Sequence, residues 1–404
     1  MERRRPLIRV GTPIRLIAVI ILLVFGCACD DLFQSDQEYT YRVPQQTGDG
    51  WTTASLGDMG MDTVPFIELM NDLQRQDDHP VHGIVVAKDG RLVFEEYFPG
   101  EHLDLSNLRD GYDLAYEDFD RNTLHCLASD SKSVTSILLG IAVDEGLIGG
   151  ADETMFSFFP DYSGLSDAVK KQITLTHMLA MASGLPWNEG YPYADPRNDL
   201  VAMINSEDPI GYVLSKSTVA APGTRFIYNS GTTNLLGEVI RRTSGVTLSA
   251  FAEQHLFAPL GISSYEWYGF PNAPEMVVAS STLYLRPRDM AKIGQLYLDG
   301  GVWNGTRVVS ENWVTASTSE VIDVSTSESP AQGYLNGYGL QWWLGTFDTG
   351  DTDFYTAAGW GGQFIIVIPG HEMVVVITAG DFEDPDYDAL LGIADDYVLR
   401  ALGN

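Results

Sequence analysis

Apolar and polar positions divide the chain into three zones. In the first, Val64 to Leu73 has the spacing of a short amphipathic helix. Gly83 to Phe98 then alternates around a Lys88-Asp89-Gly90 turn, the pattern of a β-hairpin. In the second, Val134, Ile137, Leu138, Ile141 and Ala142 recur at helical spacing and predict a buried helix running on from Ser129. Ile173 to Gly184 reads as another helix, stopped by Gly184, and Thr233 to Arg242 and Pro287 to Asp299 as two more. In the third zone strands are expected at Tyr338 to Leu344, Gln363 to Pro369 and Met373 to Ala379, with a closing helix from Tyr387 to Leu402. Residues 30–60, polar and rich in Gly, Thr and Gln, read as a linker or loosely packed lead-in. Strands at both ends with helices between them predict one α+β unit: an α/β part over about 61–124 and 290–404, and an inserted, mostly helical part over about 125–289.

The N-terminus changes the picture of where the chain works. Arg3, Arg4, Arg5, Arg9 and Arg15 precede an uncharged run, Leu16 to Gly26. A membrane-spanning helix needs roughly 20 apolar residues, so this shorter run reads as the core of a signal peptide over residues 1–26. It ends in Val24-Phe25-Gly26-Cys27, which resembles a bacterial lipobox with Cys27 as the lipidated residue and Cys29 as a weaker candidate. Export to the periplasm or cell surface on a lipid anchor is expected, with 27–60 as the linker to a domain over 61–404. Cleavage before Cys27 would remove five arginines and one glutamate, taking the net charge from −31 to −35. So acidic a chain excludes nucleic acid as the main partner. Cys126 is then the only cysteine in the folded body; it allows no internal disulfide and reads as a small buried apolar residue.

The candidate chemistry begins at Ser129-Asp130-Ser131-Lys132. Residues three apart share a helix face, so the spacing holds the Lys132 amine beside the Ser129 hydroxyl. A serine becomes a nucleophile when a base takes its proton, and a lysine can be that base when burial lowers its pKa. The alternative is a capping serine beside a solvated lysine. Two further stretches bear on the choice: Tyr228-Asn229-Ser230, and Gly359-Trp360-Gly361-Gly362-Gln363 before an apolar strand.

In that order the three stretches resemble the serine β-lactamase and penicillin-binding-protein-like hydrolase family, class C-like, over roughly residues 65–400. Within it the chain looks most like the esterase and 6-aminohexanoate-dimer hydrolase branch. The resemblance implies a β-lactamase/transpeptidase-like fold, an antiparallel sheet flanked by N- and C-terminal helices with the helical region inserted. It implies that Ser129 forms an acyl-enzyme with an ester or amide, that Lys132 accepts its proton, and that Tyr228 relays a proton to the leaving group. The backbone N–H groups of Ser129 and Gln363 would form the oxyanion hole. Ser230, Trp360, Gly361, Gly362 and Trp187 become candidates for lining the pocket, with the two glycines letting backbone approach the substrate closely. Two departures bear on substrate. Ser230 stands where β-lactamases and D-Ala-D-Ala peptidases usually carry Asn, and Trp360-Gly361-Gly362 where they carry Lys-Thr-Gly. Losing that lysine weakens the case for a substrate carboxylate.

Other chemistries lack their signatures. There is no G-x-S-x-G, no H-E-x-x-H, no P-loop and no dinucleotide fingerprint. His79 and His82 form a poor ligand pair, and His177 reads as structural, so no metal and no cofactor are expected. The sequence thus predicts a serine hydrolase of esters or amides. A β-lactamase or D-Ala-D-Ala carboxypeptidase, and a catalytically silent member that binds peptidoglycan or a peptide, remain as alternatives. Nothing in it bears on oligomeric state.

Overall fold

The structure is a computed structural model that describes residues 39–403 apart from Asp77, Arg109, Asp110, 325–332 and Asp384. The expected signal peptide, Cys27, Cys29 and the first part of the lead-in lie outside the described residues.

Among the described residues, nine strands make one sheet, in the order Thr52–Thr53, Arg91–Tyr97, Val81–Lys88, Met373–Ala379, Gln363–Ile368, Thr352–Gly359, Trp343–Phe347, Leu335–Tyr338 and Ile322–Asp323. Neighbours run antiparallel, except that Thr52–Thr53 lies parallel to Arg91–Leu92. The two ends of the chain meet in the middle of this sheet, where Val375 pairs with Val86. That central pairing is β-branched and buried on both faces, which suits strands flanked by helices on either side. The period of two shows in the packing. Val374 and Val376 join one core with Val134, Ile137, Met290 and Ile293 of the helices Asp130–Asp144 and Pro287–Leu298. Val375 and Ile377 join a second core with Phe66 and Leu69 of Val64–Gln74 and Leu390 of Tyr387–Ile393. No helix among the described residues is long and apolar enough to cross a membrane.

The structure corrects four readings. Ile173 to Gly184 is helical only over Leu175–Leu179, opened by a capping box between Thr174 and His177. Beyond it the chain turns at Met181, φ 55°, and runs on as a buried loop whose apolar residues imitate a helical pattern. Tyr338 to Leu344 is two strands, because the chain reverses at Gly339–Trp342 with Gln341 at φ 69°. The strand Thr352–Gly359 is an addition to the predicted set. The lead-in is firmly packed from Tyr39 onward rather than loose. Trp51 is buried and its Nε1 donates to the Arg288 carbonyl at 3.0 Å. The buried Arg288 guanidinium in turn donates to Asp49, Thr47, the Gln45 carbonyl and Glu95. The closing helix spans the expected range but changes turn, with π geometry over Ala394–Leu399 and 3-10 geometry over Arg400–Leu402.

Candidate active site

Ser129 sits where the chain enters the Asp130–Asp144 helix. Its predecessor Ala128 has φ 44°, a left-handed conformation unusual for a residue with a Cβ. The Ser131 hydroxyl donates to the Ala128 carbonyl at 2.7 Å and holds that turn. Ser129 occupies the N-cap position, yet its side chain caps no backbone group. Instead Lys132 Nζ donates to Ser129 Oγ at 2.8 Å. The geometry therefore rejects the capping alternative.

Lys132 is 2% exposed, and its Nζ also donates to the Ser280 carbonyl at 3.0 Å. Burial draws its pKa from 10.5 down to about 8, against the opposing pull of Glu189 and Asp130. An amine so placed is neutral in a useful fraction of molecules near neutral pH. Tyr228 has its ring centroid 4.8 Å from that ammonium. Burial pushes the phenol well up, with Tyr338 and Glu189 adding to the effect and a hydrogen bond with Ser129 opposing it. Tyr228 therefore keeps its proton at working pH and suits carrying one rather than taking one unaided.

Met181 positions Tyr228. Its carbonyl accepts from Ile227 N at 2.7 Å and its sulfur from Asn229 N at 3.2 Å. Asn229 then caps the Ser230–Ser244 helix through Oδ1, accepting from Thr232 N at 3.0 Å. Asp130, next to the nucleophile, is wholly buried with neither carboxyl oxygen hydrogen-bonded. Burial pushes its pKa well up, and Lys132 opposes this.

The third stretch reaches Ser129 by a different part than expected. Ala358, Gly359 and Trp360 line a cavity with Ser129. A Cβ at Gly359 would overlap the Leu127 carbonyl and lie 3.2 Å from Asp130 Oδ1, so only glycine lets the strand end come this near. Thr356 is the last residue that the neighbouring strand pairs, opposite Trp343, and the backbone beyond it is unpaired on that side. Gln363 lines neither cavity that contains Ser129, and its side chain is tied to Ala379 O at 2.7 Å. Gly361 and Gly362, at φ 84° and 90°, also lie outside both cavities. Their missing side chains make room for Phe382 and Leu390, not for substrate. Ser230 is fully buried, and its N–H donates to Glu189 Oε1 at 3.1 Å. Trp187 lies under the same helix, 2.6 Å from where a Cβ on Gly231 would be, and touches the site by donating Nε1 to Glu189.

Two cavities meet at Ser129. One, of about 200 Å³, has a wall of Leu103, Leu105, Leu108, Leu200 and Ile204. The other, of about 700 Å³, contains Tyr228, Glu189 and a ring of aromatic side chains. Tyr112, Tyr193 and Trp360 line both, and Trp360 stands 4.8 Å from Tyr193 and 5.3 Å from Tyr112, centroid to centroid. Sequence reasoning missed Glu189, the Ser280 carbonyl and the leucine wall. They come from separate loops and short elements, and no spacing along the chain connects them.

The chain matches the family described as Beta-lactamase over residues 66–399. It is 26% identical to 6-aminohexanoate-dimer hydrolase of Paenarthrobacter ureafaciens, over 65% of this chain and 67% of that protein. It is 29% identical to lovastatin esterase of Penicillium rubens, over 43% of this chain and 46% of that protein. The fold is similar to that of a family VIII carboxylesterase, with a TM-score of 0.62 at 15% identity, over 84% of this chain and 98% of that one.

Proposed function

The chain belongs to the beta-lactamase family, whose relatives include serine hydrolases of esters and amides, and from that premise we propose that it cleaves an ester or amide through an acyl-enzyme on Ser129. The observation that carries this reading is the 2.8 Å contact between the buried Lys132 amine and Ser129 Oγ. In the proposed cycle neutral Lys132 takes the Ser129 proton as Oγ attacks the substrate carbonyl carbon. The oxyanion is held by the N–H of Ser129 and by an N–H from the strand end at Ala358–Trp360, which is unpaired on the side of Trp343. Each such donor is worth about 10²–10³ in rate. Tyr228 passes a proton to the departing oxygen or nitrogen and recovers one from Lys132. Water then repeats the attack on the acyl carbon and frees the acid.

An esterase or amidase of the 6-aminohexanoate-dimer hydrolase type is favoured over a β-lactamase or D-Ala-D-Ala carboxypeptidase. Trp360 stands where those enzymes carry the lysine of Lys-Thr-Gly, and among the described residues the charged groups that line the larger cavity are Glu189 and Glu383. A silent binding member is disfavoured, since binding alone has no use for a buried lysine of lowered pKa held against a serine.

A fluorophosphonate probe should label the wild-type protein at Ser129 and leave Ser129→Ala unlabelled. The unlabelled wild-type enzyme should turn over p-nitrophenyl esters faster than a chromogenic cephalosporin; the reverse order would return the β-lactamase reading. We also propose export and a lipid anchor at Cys27. Cys27→Ala should move the protein from the membrane fraction to the soluble one, and an unchanged distribution would refute the anchor.

A further inference from the structure

We propose that the two cavities divide the substrate, the smaller holding an aliphatic acyl chain and the larger a leaving group that bears a positive charge. The inference rests on the hydrolase reading above. The proton for the leaving group comes from Tyr228, and Tyr228 lines the larger cavity but not the smaller. The leaving group therefore lies in the larger cavity, and the acyl chain is left the leucine-walled space of about 200 Å³.

The larger cavity has the chemistry of a cation site. Its aromatic lining includes Tyr193, Trp343, Trp360 and Tyr387, and among the described residues its charged lining groups are Glu189 and Glu383. Aromatic faces attract ammonium groups, by about 0.5–1 kcal/mol when exposed and about 2 when desolvated. One ring at this mouth already shows the behaviour, for the Arg197 guanidinium lies 4.1 Å from the Tyr191 centroid. Glu189 is fixed in place. Ser230 N–H and Trp187 Nε1 both donate to its Oε1, while Oε2 makes no hydrogen bond among the described residues. Its charge is felt across the site, pulling against burial at Lys132 and with it at Tyr228 and Tyr193. A protonated or quaternary amine gains from these rings and this carboxylate, whereas an anionic leaving group is repelled.

The preferred substrates are then aliphatic esters or amides of amino alcohols, quaternary-ammonium alcohols or diamines. For such an ester the Ser129 Oγ–acyl bond forms as the acyl–oxygen bond to the cationic alcohol breaks. The serine proton reaches that oxygen through Lys132 and Tyr228. The alcohol leaves with its charge unchanged, and water releases the fatty acid.

The test compares butyrate esters of similar size: choline, its uncharged carbon isostere 3,3-dimethylbutanol, and 4-hydroxybutanoate, with p-nitrophenyl butyrate as the reference. In the wild type kcat/KM should be about 10-fold or more higher for the choline ester than for its isostere, and lowest for the anionic ester. In Glu189→Gln, which keeps the acceptor for Ser230 and Trp187, the choline-to-isostere ratio should fall several-fold. Tetramethylammonium should inhibit the wild-type reaction with p-nitrophenyl butyrate more strongly than tert-butanol does, a comparison that needs no variant. Cleavage of p-nitrophenyl butyrate with no preference for choline would overturn this inference and leave the hydrolase reading standing. Failure to cleave any of the four esters would overturn both.

Discussion

Replacing Lys132 by methionine separates its catalytic role from its structural cost. The structure places its pKa near 8 instead of 10.5, mainly because the ammonium is buried. At about 1.36 kcal/mol per unit this is about 3 kcal/mol against the charged form. At pH 7 roughly one molecule in ten then carries a neutral amine, against roughly one in three thousand for a free lysine. kcat/KM should therefore climb with pH up to about 8 and level off above it. Lys132→Met should lower kcat/KM by about 10²–10⁴.

Stability should respond in the opposite sense. The folded pKa lies below the unfolded one, so between pH 8 and 10.5 the unfolded chain keeps a proton that the folded chain has released. Stability of the wild type therefore rises through that window, and below it the full cost of the buried charge is present. Methionine removes the cost but also the hydrogen bonds to Ser129 and the Ser280 carbonyl, each worth about 1 kcal/mol. The variant should thus be about 1 kcal/mol more stable at pH 7 and less stable than wild type by pH 10. Urea melts at the two pH values read the crossover, and initial rates on p-nitrophenyl butyrate read the activity. A pH-independent rate between 6 and 9, or a variant that keeps a tenth or more of the activity, would refute the reasoning.

Other substitutions test how the site is held. Gly359→Ala should push the strand end away from Leu127 and Asp130, destabilising the protein by about 1–3 kcal/mol and lowering kcat more than KM changes; an unaltered kcat would remove this strand from the oxyanion hole. Arg288→Ala leaves the Asp49 and Glu95 carboxylates without their buried partner, which should cost about 3–5 kcal/mol in a urea melt. An unmoved midpoint would mean that the lead-in packs without it. Ile204→Phe should fill part of the leucine-walled cavity and shift preference from octanoate to acetate esters by about 10-fold or more. A parallel loss across all chain lengths would place the acyl group elsewhere.

What the sequence made legible was local. Gln363–Ile368 and Met373–Ala379 are short, unbroken apolar runs between turn residues, and buried central strands look like that. Thr352–Gly359 escaped because Asp353, Thr356 and the small residues Ala357 to Gly359 dilute its pattern, although its pairing partners bury it. Ala180 to Leu185 misled in the opposite direction, since a buried loop needs apolar residues as much as a helix does. At the site, Ser129 and Lys132 were legible because one helical turn joins them, and Tyr228 through the family resemblance that its stretch carries. Glu189 was not, for its place is set by Ser230 and Trp187 across a loop. For Gln363, expected as an oxyanion donor, the structure gives a side chain tied to the Ala379 carbonyl and a place outside the lining of both cavities. The glycines at 361 and 362 leave room for Phe382 and Leu390, while Ala358, Gly359 and Trp360, before that turn, line the cavity with Ser129.

The most direct test is the first turnover of a p-nitrophenyl ester, followed by stopped flow with intact-mass analysis of the quenched protein. Wild-type protein should release about one equivalent of nitrophenol in a burst and gain the mass of one acyl group, mapped to Ser129. Ser129→Ala should do neither. Equal turnover by the two proteins, or an acyl group on another residue, would contradict the assignment of Ser129 as the nucleophile.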